Sequence, residues 1–308
     1  MPEFVMPCPS AGANPAVRSA EEALRAWGEA SGLDGDGPLA KILGKARPAI
    51  LASLLYPQAA PAALAMSAQW LAVNFLVDDI LDAEDDPERC RGTVRDFCDA
   101  FTAPASVTTG SLRAAITRLW QRTREDRSQD WCGVFRDDVR DWLHSYPAEA
   151  EDRIQQRMPT IDAYRRHRRL SSGMLVFVDL VEFAAGADLP AELRQSEAMG
   201  VLRGSTAEHM GLVNDMHSVS KEQAAGQLHN AVSLLQHHQR ISLQEALHRV
   251  NDLATSCLDA FEAAAARLPD HPDAARCVQG YRLLMRGAFD CYAATDRYLI
   301  PHPGGPDA

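Results

Sequence analysis

Three aspartates close an apolar stretch in Phe75-Leu76-Val77-Asp78-Asp79-Ile80-Leu81-Asp82. On a helix, Asp78 and Asp82 are one turn apart and project from one face. Like charges at that spacing repel unless a cation lies between them, and acids at the C-terminal end of a helix also oppose its dipole. An arrangement that costs stability points to a use. Carboxylate oxygens are hard ligands suited to Mg²⁺, whose shell is usually completed by water and substrate phosphate. A second constellation lies in Asn214-Asp215-Met216-His217-Ser218-Val219-Ser220-Lys221-Glu222. Asn214, Ser218 and Glu222 fall at i, i+4 and i+8, so an amide oxygen, a hydroxyl and a carboxylate stack along about two helical turns. They form an all-oxygen set for a further hard cation. A cation and a phenol stand side by side at Arg297-Tyr298. A basic run, Arg165-Arg166-His167-Arg168-Arg169, leads into Leu170-Ser171-Ser172-Gly173, which reads as a helix break. An arginine held there can grip phosphate with its planar fork. Each motif alone also has an ordinary reading: a solvated helix end, a chance pattern, a snorkelling Arg beside a core-edge Tyr, a solvated basic face.

These side chains must be carried by helices. Ala, Leu, Glu, Gln and Arg dominate, and sustained period-2 alternation is absent, so the chain reads as all-α. Apolar residues recur at helical spacing over 20–30, 61–82, 111–123, 160–170, 192–213, 243–268 and 273–298. Breaks are expected at Gly32 to Gly35, Asp85-Asp86-Pro87, Tyr146-Pro147, Met158-Pro159, Gly186 to Pro190 and His271-Pro272. Roughly ten helices follow. With no fixed-period repeat and no low-complexity linker, the expectation is one helical domain over 16–299, with flexible ends at 1–15 and 300–308.

Composition removes several function classes. The net charge is −11, with no basic footprint for nucleic acid or an anionic membrane surface. No uncharged apolar run reaches the roughly 18 residues of a membrane span. Seven cysteines are scattered and never spaced as CxxC, which points to a reducing, cytoplasmic setting and away from disulfides or a cysteine zinc site. No Cys or His is placed by sequence spacing to bind Zn²⁺.

Together, in this order, the motifs resemble the bacterial class I terpene synthases across residues 70–298. Asp78-Asp79-Ile80-Leu81-Asp82 is similar to that family's aspartate-rich motif. Asn214, Ser218 and Glu222, with Lys221 beside the Glu, are similar to its metal-binding triad, and Gly226, His229 and Asn230 continue in the same style. Arg297-Tyr298 resembles its terminal pair. The family places a diphosphate-sensing Arg 46 residues before the triad Asn, which falls on Arg168, with Ser171 and Ser172 at the linker and effector positions.

The resemblance implies a single-domain α-bundle around a central apolar cavity. It implies three Mg²⁺ ions on a prenyl diphosphate, held by Asp78, Asp82 through water, Asn214, Ser218 and Glu222. Asp79 would hold a closing Arg. Arg168, Lys221, Arg297 and Tyr298 would donate to the diphosphate, and Ser172 would act through its carbonyl. The expected activity is ionisation of a linear prenyl diphosphate and cyclisation of the allylic cation, by a monomer or a homodimer. Farnesyl diphosphate is the first choice of substrate, geranylgeranyl a close second and geranyl third. The pull toward the longer chain comes from two cavity positions. Cys291 stands where the family commonly has Trp, between Phe289 and Tyr292, and Asn74 stands beside Phe75.

Two rival readings fit less of the sequence. A chain-elongating prenyl diphosphate synthase needs a second facing aspartate motif. Asp137-Asp138-Val139-Arg140-Asp141 fits by letters, but Arg136 and Arg140 interleave it, so it is expected to be the charged face of an amphipathic helix. A non-enzymatic helical scaffold leaves the triad and Arg297-Tyr298 unexplained.

Overall fold

The computed structural model describes residues 1–33, 37–84, 86–102, 110–227 and 229–295. Among them are fourteen α-helices and no strand. They are α1 (Val17–Ser31), α2 (Pro38–Lys41), α3 (Pro48–Leu55), α4 (Pro61–Asp82), α5 (Pro87–Asp99), α6 (Leu112–Arg124), α7 (Gln129–Gln155), α8 (Ile161–Ser171), α9 (Met174–Ala184), α10 (Ala191–Arg194), α11 (Glu197–Ala224), α12 (Ala231–Gln239), α13 (Leu243–Ala265) and α14 (Pro272–Cys291). A single π-turn, Ile42–Ala46, follows α2.

Helix starts are set locally. Asp86, Ser111, Ser128, Thr160, Ser196, Asn230, Ser242 and His271 each accept a backbone N–H of the following first turn. Such capping occupies donors that the helix cannot pair internally. Pro61 opens α4 at a position where its missing N–H costs nothing.

One continuous buried apolar cluster runs from Ala20 to Cys291 and encloses most of α4. Helix α4 is long and apolar enough to cross a membrane by length and composition, but 72% of its apolar window is buried inside the protein. Its apolar character is therefore explained by the core. An aromatic cluster packs against α4. Trp70, Trp120 and Trp131 pack around Phe135 with ring centroids 5.0–5.5 Å apart. Trp70 also donates to Thr123 Oγ1 at 2.9 Å. A second cluster, including Tyr164, Leu212, Met216, Val232 and Val250, joins α8, α11, α12 and α13.

The structure adds to the local expectations or differs from them at four places. Pro147 does not break the chain: α7 runs through it to Gln155. Tyr146, Pro147 and Ala150 are buried there, and the Ser145 hydroxyl donates to the Trp142 carbonyl at 2.6 Å, so packing and a side-chain bond hold the interrupted turn. The helix expected over 192–213 is divided, with α10 ending before the Ser196 cap and α11 continuing past the triad to Ala224. Met174–Ala184, an apolar run without amphipathic rhythm, is the buried helix α9. Residues 1–15, expected to be flexible, lie along the bundle. Asn14 donates to the Tyr56 and Ala59 carbonyls, Phe4 stacks on His217, and Ser10 donates to Asp290.

Candidate active site

Helices α4, α7, α8 and α11 meet around a polar cavity of about 130 Å³. From α4 come Asn74, Phe75, Asp78 and Asp82; from α11, Asn214, Ser218, Lys221 and Glu222; and from the α8–α9 joint, Arg168, Ser171 and Ser172. The motifs read from the sequence as 130 or more residues apart thus face one another in space. Asp79 is exposed and does not line the cavity, which agrees with its separation from the ligand set. Arg297 and Tyr298 lie outside the described residues.

Two of the acids here are held back from ionising. Burial, followed by the charges of Asp78 and Glu149, pushes the Asp82 carboxyl up to about 7. Burial, followed by Asp215, also raises Glu222. Carboxylates that resist ionisation for these reasons are suited to a cation that neutralises them. The donors offered are carboxylate, amide and hydroxyl oxygens, a hard set. The residues present therefore fit divalent hard cations at both Asp78/Asp82 and Asn214/Ser218/Glu222.

Each ligand candidate is oriented by a neighbour. Tyr146 donates to Asp78 Oδ1 at 2.8 Å, and Gln227 donates to Asp82 Oδ2 at 3.4 Å. Asn230 donates to Glu222 Oε2 at 2.8 Å and to the Asp215 carbonyl at 2.8 Å. Ser218 donates to the Asn214 carbonyl at 2.9 Å, as a helical hydroxyl commonly does. Asp215 is fully buried and accepts from Tyr164 and from the Ala231 N–H, which ties α8 and the start of α12 to α11.

The geometry separates the two neighbouring arginines. Arg168 reaches the cavity, where its Nη2 donates to Asn214 Oδ1 and lies 2.9 Å from Asp215. Its Nε is buried and makes no hydrogen bond within the protein. Arg169 turns the other way and, with Arg165, grips the buried Glu208 at 2.6 Å each. Gly211 on α11 makes room: a Cβ there would stand 3.3 Å from Arg168 Cγ. The break after α8 is real. Gly173 adopts φ 67°, and a side chain on it would collide with Asn74 and Trp142.

Below the polar cavity lies an apolar chamber of about 60 Å³, walled by Leu51, Leu55, Leu71, Phe177, Met210, Ala288, Cys291 and Tyr292. Asn74, Phe75 and Met174 line both spaces and form the seam between them. Cys291 is buried in this wall, with its thiol 3.7 Å from the Leu51 carbonyl. Tyr292 lines the chamber beside Cys291, with its ring stacked 4.0 Å from that of His217. Phe289 and Trp70 do not line the chamber.

Several lining residues escaped the sequence reading. Tyr146, Glu149 and Arg153 fall at i, i+3 and i+7 on α7 and share a face. That signal was present, but reading Pro147 as a break concealed it. Phe177 and Met210 gave no separate signal among many apolar residues. The rival aspartate motif is dispersed. Asp137 and Asp141 are 62% and 43% exposed and pair with Arg140, while Asp138 turns inward to Arg203 beside Asp179.

Residues 69–260 match the family model described as terpene synthase family 2, C-terminal metal binding. The chain is 30% identical over 283 residues to (2Z,6E)-hedycaryol synthase of Kitasatospora setae, covering 89% of this chain and 81% of that protein. It is 29% identical to pristinol synthase of Streptomyces pristinaespiralis, covering 92% and 82%. Among solved structures, a cucumene synthase variant superposes with a TM-score of 0.83 at 26% identity, covering 96% and 100%. A hedycaryol synthase in complex with HEPES superposes with a TM-score of 0.78 at 28% identity, covering 96% and 97%.

Proposed function

This chain belongs to the class I terpene synthases, and from that premise we propose that it cyclises farnesyl diphosphate with the help of Mg²⁺. The activity class is a carbon–oxygen lyase that releases diphosphate and leaves a terpene hydrocarbon or alcohol. One observation carries the reading: the oxygen ligands of α4 and α11 and the Arg168 fork converge at the mouth of an apolar chamber.

The chemistry divides along the seam. Asp78 and Asp82, and separately Asn214, Ser218 and Glu222, would hold three Mg²⁺ ions. Such ions, when bound, supply the positive charge that stabilises a departing diphosphate. Arg168 and Lys221 add donors on the protein side, and the resemblance adds Arg297 and Tyr298. Arg168 is held in place by Asn214 and Asp215, and its unpaired Nε would be the donor offered to phosphate. Ser172, at the helix break, would offer its carbonyl to the reacting end of the chain. The allylic cation then faces Phe75 at the seam and Phe177 and Tyr292 deeper in the chamber, whose ring faces favour cations. No strong base is needed there. Met174 and Met210 are wall residues that repack readily around a folding chain.

The similarity to hedycaryol and pristinol synthases, which are sesquiterpene cyclases, supports the fifteen-carbon choice. The test offers geranyl, farnesyl and geranylgeranyl diphosphate separately with Mg²⁺ and identifies products by gas chromatography. A cyclic fifteen-carbon product is expected from farnesyl diphosphate. A cyclic twenty-carbon product, with only linear alcohols from farnesyl diphosphate, would overturn the substrate. Absence of diphosphate release from all three would overturn the activity.

A further inference from the structure

At the edge of the polar cavity, α7, α8 and the link between α11 and α12 bring together Glu149, His167 and His229. One ligand atom from each lies within 4.8 Å of the others. His167 Nε2 stands 2.8 Å from Glu149 Oε1, and His229 Nδ1 stands 3.6 Å from the same oxygen. Sequence spacing placed no histidine for a transition metal, because the three residues are 18 and 62 positions apart and meet only through the packing of three elements. We propose that Glu149, His167 and His229 form a site for a borderline divalent transition-metal ion such as Zn²⁺, distinct from the oxygen-only positions for Mg²⁺.

Two imidazole nitrogens and one carboxylate favour Zn²⁺, Co²⁺ or Ni²⁺ over Mg²⁺. The surroundings have the form of a prepared ligand. Asp152 Oδ2 lies 3.0 Å from His229 Nε2, so a carboxylate fixes the ring through one nitrogen and leaves the other facing Glu149. That other nitrogen, Nδ1, is buried and has no hydrogen-bond partner. His229, Glu149 and His167 side chains are 11%, 16% and 29% exposed, so an ion has a route in. Glu149 and His229 also line the polar cavity, which leaves a remaining coordination position facing it.

Protons compete for the same nitrogens. Burial pushes His229 down, but the Glu149 and Asp152 carboxylates outweigh it and raise its pKa. Metal binding displaces that proton, so the measurement belongs at about pH 8. An ion bridging three elements of the cavity wall also stabilises the folded chain, because it binds that state alone.

The test titrates Co²⁺ into the full chain at pH 8 with a large excess of Mg²⁺, reading visible d–d absorption and then its loss when Zn²⁺ is added. A band that reaches one equivalent and a thermal midpoint raised by about 5 °C at saturating Zn²⁺ are expected. The band should vanish in His167→Ala and persist in Glu222→Ala. His167→Gln, which keeps a hydrogen bond to Glu149 but is a poor metal ligand, guards against a folding defect. A band that survives both His167 changes, disappears in Glu222→Ala, or never forms against Mg²⁺ would overturn the site.

Discussion

The polar cavity and the apolar chamber share Asn74, Phe75 and Met174, yet they are built on different terms. In the polar cavity almost every functional side chain is held by another side chain: Tyr146 on Asp78, Asn230 on Glu222, Asp215 on Arg168. Burial there raises Asp82 and Glu222, which suits both carboxyls to a neutralising cation. In the chamber, shape alone is specified, by leucines, methionines and a few rings. On the proposed function, the first region would set whether a bond breaks, because charge stabilisation depends on fixed donors. The second would set what the cation becomes. Changes in the first should alter rate, and changes in the second should alter product.

The largest effect is expected from removing a metal ligand. Asp78→Ala, Asn214→Ala and Glu222→Ala should each lower kcat/KM by about 10²-fold or more, and pairs of them should cost little beyond the singles, since they act as a unit. Steady-state kinetics of diphosphate release reads this directly. Asp137→Ala and Asp141→Ala, on an exposed face, should leave kcat/KM within about twofold. Loss of activity in Asp137→Ala but not Asp78→Ala would transfer the role to the other motif.

Next in size, Arg168→Lys keeps the charge and loses the fork, and should lower kcat by about 10²-fold. Arg169→Lys, whose partner is Glu208, should change kcat by less than about threefold and act on thermal stability instead. The reverse ranking would place the phosphate contact on Arg169. Tyr146→Phe removes only an orienting bond to Asp78, so the Mg²⁺ concentration for half-maximal rate should rise about 10-fold, with a smaller change in kcat at saturating Mg²⁺. An unchanged Mg²⁺ requirement would mean that Tyr146 packs without orienting. The smallest effect on rate belongs to the chamber. Cys291→Trp should leave diphosphate release within several-fold while shifting products from cyclic to linear, at a packing cost of about 1–3 kcal/mol. Circular dichroism and the thermal midpoint would separate that shift from misfolding.

How legible the two regions were follows from their construction. The polar cavity rests on oxygen-bearing residue types repeated at helical spacing, so Asp78 and Asp82, and Asn214, Ser218 and Glu222, stood out as candidates by local pattern, and their order along the chain joined them into one resemblance. Helix α4 was legible to its ends, because Pro61 opens it and Asp82 closes it. Tyr146 and Glu149 were hidden by Pro147, where tertiary packing overrode a local helix-breaking preference. Glu149, His167 and His229 converge from three elements, and no local pattern encodes such a meeting. The chamber was the least legible. Phe177 and Met210 are apolar residues among many, and which of them face a cavity depends on helix packing. Cys291 shows the same limit, since one letter does not say which neighbours share the chamber wall with it.

The division between the two regions is tested most directly by measuring diphosphate and cyclic terpene from the same reaction. Asn214→Ala and Cys291→Trp are compared with the unaltered chain on farnesyl diphosphate and Mg²⁺. The account predicts that Asn214→Ala loses both products in parallel, and that Cys291→Trp keeps diphosphate release while losing cyclic terpene. Diphosphate release that survives Asn214→Ala, or a Cys291→Trp protein that folds but loses both products together, would contradict it.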